Sequence, residues 1–314
     1  MTRLGTSDLD VLPLALGANT FGWTSDEAAS HAVLDAFTAA GGTLVDTADV
    51  YSAWAPGNSG GESETVIGRW LARTGRRADL VVATKVSQHP DFAGLSAENV
   101  AAAADASLRR LGTDHVDLYY AHVDDADTPI AETVAAFARL QQAGKVRHVG
   151  ISNYTADRVQ EWAAAATDQG VPLPVALQPH YNLLHRKGFE TDLAPVAAQW
   201  GMGVLPYFAL ASGFLSGKYR TREDLEGAAR GAMAGQYVSD GAFATLSVLD
   251  EVAADRGVAP ATVALAWLRR QPTVVAPIAS ARTPDQLQAL LASTTTDLTD
   301  EELGRLDAVS AGLG

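Results

Sequence analysis

The stretch Leu80-Val81-Val82-Ala83-Thr84-Lys85 is apolar or small almost throughout until a lysine closes it. A strand wetted on one face alternates, whereas one that is apolar at nearly every position is covered on both faces, as parallel strands under helices are. Seven other runs rich in Val, Leu, Ile and Tyr share this character, at 14–18, 43–47, 115–121, 146–152, 174–178, 203–208 and 274–279. Between them lie Ala-rich stretches with apolar residues at helical spacing, at 26–40, 61–73, 97–110, 129–142, 156–168, 190–200, 242–270 and 284–292. Ser96 and Thr283-Pro284 open helices with the expected chemistry, and Gly41-Gly42, Gly112 and Gly144 fall just past helix ends.

Eight strand–helix alternations predict an α/β fold: a closed (β/α)8 barrel, or TIM barrel, forming a single domain over 1–314. A doubly wound open sheet is the alternative. The first strand is followed by Gly17-Ala18-Asn19-Thr20-Phe21-Gly22, which lacks the G-x-G-x-x-G spacing that cradles a pyrophosphate in such sheets. Two segments lie outside the alternation. Residues 1–13 alternate as an N-terminal β-hairpin able to plug the barrel floor. The long loop after strand seven, 211–240, is rich in Gly, Ser and charge and reads as a lid.

Composition narrows the function. The 314 residues include no cysteine, which removes disulfide frameworks, thiolate metal sites and cysteine nucleophiles, and no metal site is expected. With 23 Lys+Arg against 37 Asp+Glu the net charge is −14, so nucleic acid is not an expected partner. No apolar run reaches membrane-spanning length and the first residues have no signal-peptide core, so the expectation is a cytoplasmic protein without a membrane partner. Its oligomeric state is open.

In a β/α barrel the chemistry sits at the carboxyl ends of the strands. Strand two ends in Asp46-Thr47-Ala48-Asp49-Val50-Tyr51, strand three in Lys85, and strand four is followed by His122. Each alone has a structural reading, as a turn aspartate, a loop aromatic or a core histidine. Lys85 is harder to set aside: it is one of four lysines, and a lone ammonium closing an apolar strand is costly without a carboxylate, which Asp46 can supply. Together the four make a proton-donating site. A tyrosine of pKa near 10 needs its phenolate stabilised, a nearby ammonium does that, and His122 would orient a carbonyl oxygen toward Tyr51. At the ends of strands five and six, Ser152, Asn153 and Gln178 offer donors and acceptors suited to a carboxamide. Tyr207 offers a face for stacking. Arg282 stands just ahead of a helix N-terminus, where an anion is favoured.

These segments resemble the aldo-keto reductase family over essentially the whole chain. The resemblance is carried by Leu44 through Tyr51, Ala83-Thr84-Lys85, Leu118-Tyr119-Tyr120-Ala121-His122, Gly150-Ile151-Ser152-Asn153-Tyr154, Gln178 with Tyr181-Asn182, and Gly213 through Tyr219. It implies reduction of an aldehyde or ketone by NADPH, with NADP+ released, on a barrel without a Rossmann domain. By motif, Tyr51 would be the general acid, Lys85 and Asp46 its tuning pair, and His122 the carbonyl-orienting residue. Ser152, Asn153 and Gln178 would hold the nicotinamide carboxamide, with Tyr207 stacked on its ring. Leu210, Ser212 and Lys218 match the pyrophosphate loop, and Ser280, Arg282 and Gln286 the adenosine-phosphate end. The chain departs from the pattern at Phe208, at Ala279 and Ser280, and at Leu290.

Trp23, Trp54, His89, Phe92 and Val123 lie in loops that meet the rim and are the candidate substrate pocket, with Asp124 and Asp125 beside them. That mixture would suit a small-molecule carbonyl substrate of moderate polarity, such as a sugar or sugar-derived ketone. Two other functions compete. Lys85 near an aspartate and a tyrosine is also how a Schiff-base aldolase is built, but that chemistry needs the amine neutral where the reductase needs it charged. A non-turnover NADPH-binding protein that senses redox state would keep the same pocket.

Overall fold

The computed structural model describes residues 1–228 and 230–313; Ala229, inside the expected lid segment, and Gly314, at the end of the expected domain, lie outside them. Eight parallel strands form one curled sheet: β1 (Ala15–Gly17), β2 (Leu44–Asp46), β3 (Val81–Val86), β4 (Val116–Ala121), β5 (Val146–Ser152), β6 (Ala176–Gln178), β7 (Gly203–Val204) and β8 (Ile278–Ala279). Their spatial order is β7-β6-β5-β4-β3-β2-β1-β8, so successive strands are neighbours and the first pairs with the last. Between the two end strands run backbone hydrogen bonds from Val204 N to Thr273 O, Val275 N to Val204 O and Ile278 N to Pro206 O, each 2.9 Å. Every residue of β3 and of β4 is buried, Lys85 and Asp117 included.

The connecting helices pack outside. Ser96 accepts from Asn99 N and Thr283 from Gln286 N at helix starts, and Gly112 takes the left-handed conformation at a helix end. One expected helix is two: 242–270 divides into Asp240–Arg256 and Pro260–Arg269. Gly257 (φ 64°) ends the first, and Pro260, with no N–H to give, opens the second. A further helix, Asp300–Ser310, follows the eight units on a Thr299–Glu302 capping box. Strand seven pairs regularly over two residues rather than six because Pro206 has no N–H to donate.

The first residues pair antiparallel, Thr2 with Val11 and Arg3 with Asp10, over shorter limits than the alternation predicts. Leu4, Leu9 and Val11 are buried in a cluster with Leu44, Leu118, Tyr120, Leu205 and Val275. Gly5 is confined there: a Cβ would lie 2.2 Å from Val175 O, and its φ of 53° suits glycine. Asp8 accepts from Arg147 (2.8 Å) and meets His148 (2.6 Å), tying this segment to β5. The amino ends of the strands are thereby covered, and the carboxyl ends are left for chemistry.

Candidate active site

Lys85, at the end of β3, is wholly buried. Its Nζ donates to Asp46 Oδ2 (2.7 Å), Thr47 O (2.7 Å) and Tyr51 OH (3.0 Å). The register that sets Asp46 opposite Ala83 on neighbouring strands brings the carboxylate within reach of the ammonium two residues on. Burial works against the charge on Lys85, but Asp46 and Tyr51 outweigh it and its pKa is raised. The lysine is an ammonium at neutral pH, the reverse of what an amine nucleophile needs.

Burial pushes the Tyr51 phenol up from its usual value, and the pull of Lys85 only partly offsets this. The phenol is therefore protonated at neutral pH, able to give a proton to a group whose basicity rises during reaction. His122 faces it with ring centroids 6.1 Å apart. Burial and the charge of Lys85 hold the imidazole well below its ordinary pKa, so it is neutral. Its Nδ1 is buried without a partner among the described residues.

The other expected residues cluster around this core. Gln178 Nε2 donates to Asp46 Oδ1 (2.8 Å), and Ser152 Oγ to Gln178 O (2.9 Å). Asn153 Nδ2 donates to His122 O (2.9 Å) and accepts at Oδ1 from Tyr207 OH (2.7 Å). Non-glycine residues with positive φ are concentrated in loops beyond the strand ends: Ser52, Ser87, Asn153, Phe208, Ala211 and Ser212, with Thr273 elsewhere. Such conformations cost about 1–3 kcal/mol each and gather where a ligand must be met closely. Ser212 Oγ is buried with no partner among the described residues, and Leu210 precedes it at the start of a short 3-10 turn.

On the far side of the rim Ser280 Oγ donates to Asn19 Oδ1 (2.7 Å), and Arg230 reaches the same atom at 3.4 Å. Arg230 also lies 5.7 Å over the Trp23 ring, and burial and the nearby Arg282 lower its pKa. Gln286 folds back to accept from Arg282 N (3.0 Å). Among the described residues no carboxylate comes within ion-pair distance of Lys218, Arg230 or Arg282, in a chain where acids outnumber bases. Asn19 and Arg230 are additions to the sequence reading. Asn19 directly follows β1, where the strand-end rule could have found it, while Arg230 sits in a Gly-rich segment that gives no signal.

Of the candidate pocket, Trp23 and Trp54 meet edge to face (5.6 Å) and Trp54 lies 6.1 Å from Tyr51. Val123 is half-buried and its N–H is held by Ser87 Oγ. His89 instead turns inward against Gly60, accepts from Asp91 N and packs on Phe92. Asp124 is bound by both arms of Arg158 (2.7 and 2.8 Å), and Asp125 accepts from Leu95 N and Thr128. Those two carboxylates are committed to the framework, so what the rim offers a substrate is chiefly aromatic. No helix among the described residues is long and apolar enough to cross a membrane, and no cluster of potential metal ligands occurs among them.

The chain is thus an α/β protein with an eight-stranded parallel sheet and a buried Lys–Asp–Tyr constellation at its carboxyl end, and sequence comparison gives its class. A family model described as the aldo/keto reductase family matches residues 13–311. The chain belongs to that family, whose members work with NAD(P)H. It is 34% identical to Protein tas of Escherichia coli strain K12, covering 98% of this chain and 96% of that one. It is 32% identical to a probable voltage-gated potassium channel subunit beta of Oryza sativa subsp. japonica (91% and 88%) and 32% identical to norsolorinic acid reductase B of Aspergillus parasiticus (96% and 81%).

Proposed function

We propose that the protein is an NADPH-dependent carbonyl reductase, a single closed barrel over 1–314 acting on a small aldehyde or ketone through Tyr51. The observation that carries this is the Lys85 ammonium, which bridges Asp46 at 2.7 Å and the Tyr51 hydroxyl at 3.0 Å. The site suits the cofactor chemically. Among the described residues Lys218, Arg230 and Arg282 are cations without acid partners, and Ser212 Oγ is a buried hydroxyl without a hydrogen-bond partner. Ser152, Asn153 and Gln178 would hold the carboxamide, Tyr207 the ring, Leu210, Ser212, Lys218 and Arg230 the pyrophosphate, and Ser280, Arg282 and Gln286 the adenosine phosphate. Bound there, the dihydronicotinamide supplies the reducing hydride.

The chain's own groups do the rest. Tyr51 gives its hydroxyl proton to the carbonyl oxygen as charge develops there, and Lys85 stabilises the phenolate left behind. Asp46 keeps Lys85 charged and aimed. Neutral His122 presents a ring nitrogen to the same oxygen without competing as an acid. Trp23, Trp54 and Val123 enclose the substrate and exclude water, with His89 and Phe92 shaping the wall behind.

The test is loss of NADPH absorbance with a panel of aldehydes and diones, for the wild type and for Tyr51→Phe. Turnover by the first and its loss in the second is the expected result. Some relatives carry the name of a potassium-channel subunit rather than of a reductase, which leaves room for one further reading, a protein that binds NADPH and senses redox state without turnover. Tight NADPH binding with no reduction across the panel would establish that reading instead.

A further inference from the structure

Behind Tyr207 stands a column of rings. His180 stacks on Tyr207 with centroids 5.4 Å apart and planes 23° from parallel. His185 stacks on His180 at 3.8 Å and 13°. His185 and Tyr207 make no ring contact with each other, so His180 is the ring that joins them. Its edge is gripped as well: Nε2 is 2.7 Å from the Tyr237 hydroxyl, and Phe208 meets it edge-on at 5.4 Å. The backbone supports the arrangement, since Tyr207 N donates to Pro179 O (3.0 Å).

Besides this stack, Tyr207 is held at its tip, where its hydroxyl donates to Asn153, and its ring meets Phe208 edge-on at 5.1 Å. A ring held at its hydroxyl and its Cβ still turns about the axis joining them. The stacked imidazole is what opposes that turn. Beyond it lies a cavity of about 350 Å³ bordered by His180, Leu184, His185, Tyr237, Val238 and Leu313. With that space behind, removing the His180 ring would leave Tyr207 only the edge-on contact with Phe208 among the aromatic neighbours of the described residues, and no stacked face. Burial, with His185 adding to it, keeps His180 neutral, its pKa lowered to about 4, so the column puts no charge behind the cofactor ring.

We propose that His180 is a positioning residue for the reduction: through Tyr207 it fixes the plane on which the nicotinamide lies, and Tyr237 ties that plane to the 211–240 segment. The inference rests on the reading of Tyr207 as the cofactor's stacking surface. Reaction rates fall steeply when reacting atoms are misplaced by fractions of an ångström, while the binding energy of a large dinucleotide is spread over many contacts. Loss of His180 therefore acts on the chemical step more than on affinity.

The experiment is single-turnover reduction with NADPH and with its deuterated form, beside calorimetric NADPH titration, for the wild type, H180Q, H180F and Y237F. H180Q keeps a partner for Tyr237 but has no ring; H180F keeps the ring and loses the hydrogen bond. We expect H180Q to slow the single turnover by about tenfold with a larger isotope effect and an NADPH dissociation constant within about threefold of wild type. H180F recovers most of the rate. Equal loss in H180Q and H180F, or a wild-type rate in H180Q, overturns the proposal. If H180Q does not fold, Y237F decides: a fall of about threefold with an unchanged melting temperature supports it, and an unchanged rate overturns it. A wild type that binds no NADPH overturns both this and the reductase reading, whereas normal turnover matched by H180Q overturns this alone.

Discussion

The Gln178 carboxamide donates to Asp46 Oδ1 from across the barrel, while Lys85 holds Oδ2 of the same carboxylate at 2.7 Å. One aspartate thus serves two strands. One N–H of Gln178 Nε2 is spent on it, which leaves the second N–H and Oε1 of that side chain for another partner. On the proposed assignment, a cofactor amide held by Gln178 would be linked through this one carboxylate to the charge of Lys85.

Tyr51→Phe removes the proton donor but leaves the ring and the lysine pair. Turnover should fall by at least about 10²-fold, the lower range for losing a general acid, with NADPH affinity within about threefold. Steady-state assay and calorimetry check both.

Lys85→Met should lower turnover as far, because Lys85 is the charged neighbour that draws the Tyr51 pKa down. It should also destabilise the fold by about 3–5 kcal/mol, since Asp46 is left buried and unpaired. Adding Asp46→Asn should restore stability in denaturant titration without restoring turnover. Recovery of turnover in the double variant would remove Lys85 from the tuning role.

Arg282→Ala tests the cofactor preference. One lost charge-assisted contact costs about 1.5–3 kcal/mol, so NADPH should bind about 10- to 150-fold more weakly, with NADH changed by less than about threefold. Equal losses for both would move Arg282 to the shared part of the dinucleotide.

Much of the eight-stranded parallel sheet was legible because its signal is local. An apolar run needs no partner to be read, and the polar residue that ends it falls on the rim by topology. What escaped depends on distant neighbours. Asp124 and Asp125 look available in sequence, but Arg158 and Thr128 claim them. His89 looks like a rim residue until a short hairpin folds it onto Gly60. Arg230 lies 211 residues from Asn19, and nothing in the 211–240 composition announces that contact.

The same segment should respond to cofactor. Gly213 and Gly217 take φ 95° and 79° and Lys218 is exposed, between anchors at the buried Phe214, Leu215 and Tyr219. Amide exchange over 211–240 should slow on adding NADPH; equal protection with and without it would refute a lid.

Asp49 is fully buried, and neither carboxyl oxygen has a hydrogen-bond partner among the described residues. Burial first, then Glu64, pushes its pKa up to about 8. From about pH 4 to 8 the folded chain therefore holds a proton that the unfolded chain has lost. Stability should fall as pH rises through that window, with a slope approaching about 1.4 kcal/mol per pH unit for one proton, and level off above it. Asp49→Asn should flatten the slope and raise the melting temperature at pH 8 more than at pH 5.

Trp23 and Trp54 give the site a built-in optical reporter. Trp70, Trp162 and Trp267 are sealed in the interior at 0–1% exposure, and half-buried Trp200 donates to Gln160 ahead of β7, at the amino end of the sheet. Trp54, by contrast, is 50% exposed and pairs with Trp23 beneath the Arg230 guanidinium. The interior indoles emit from an environment that ligands do not reach. A change in intrinsic emission on adding ligand thus arises at the mouth, and Trp54→Phe separates the part owed to the substrate side from the rest without any label attached to the protein.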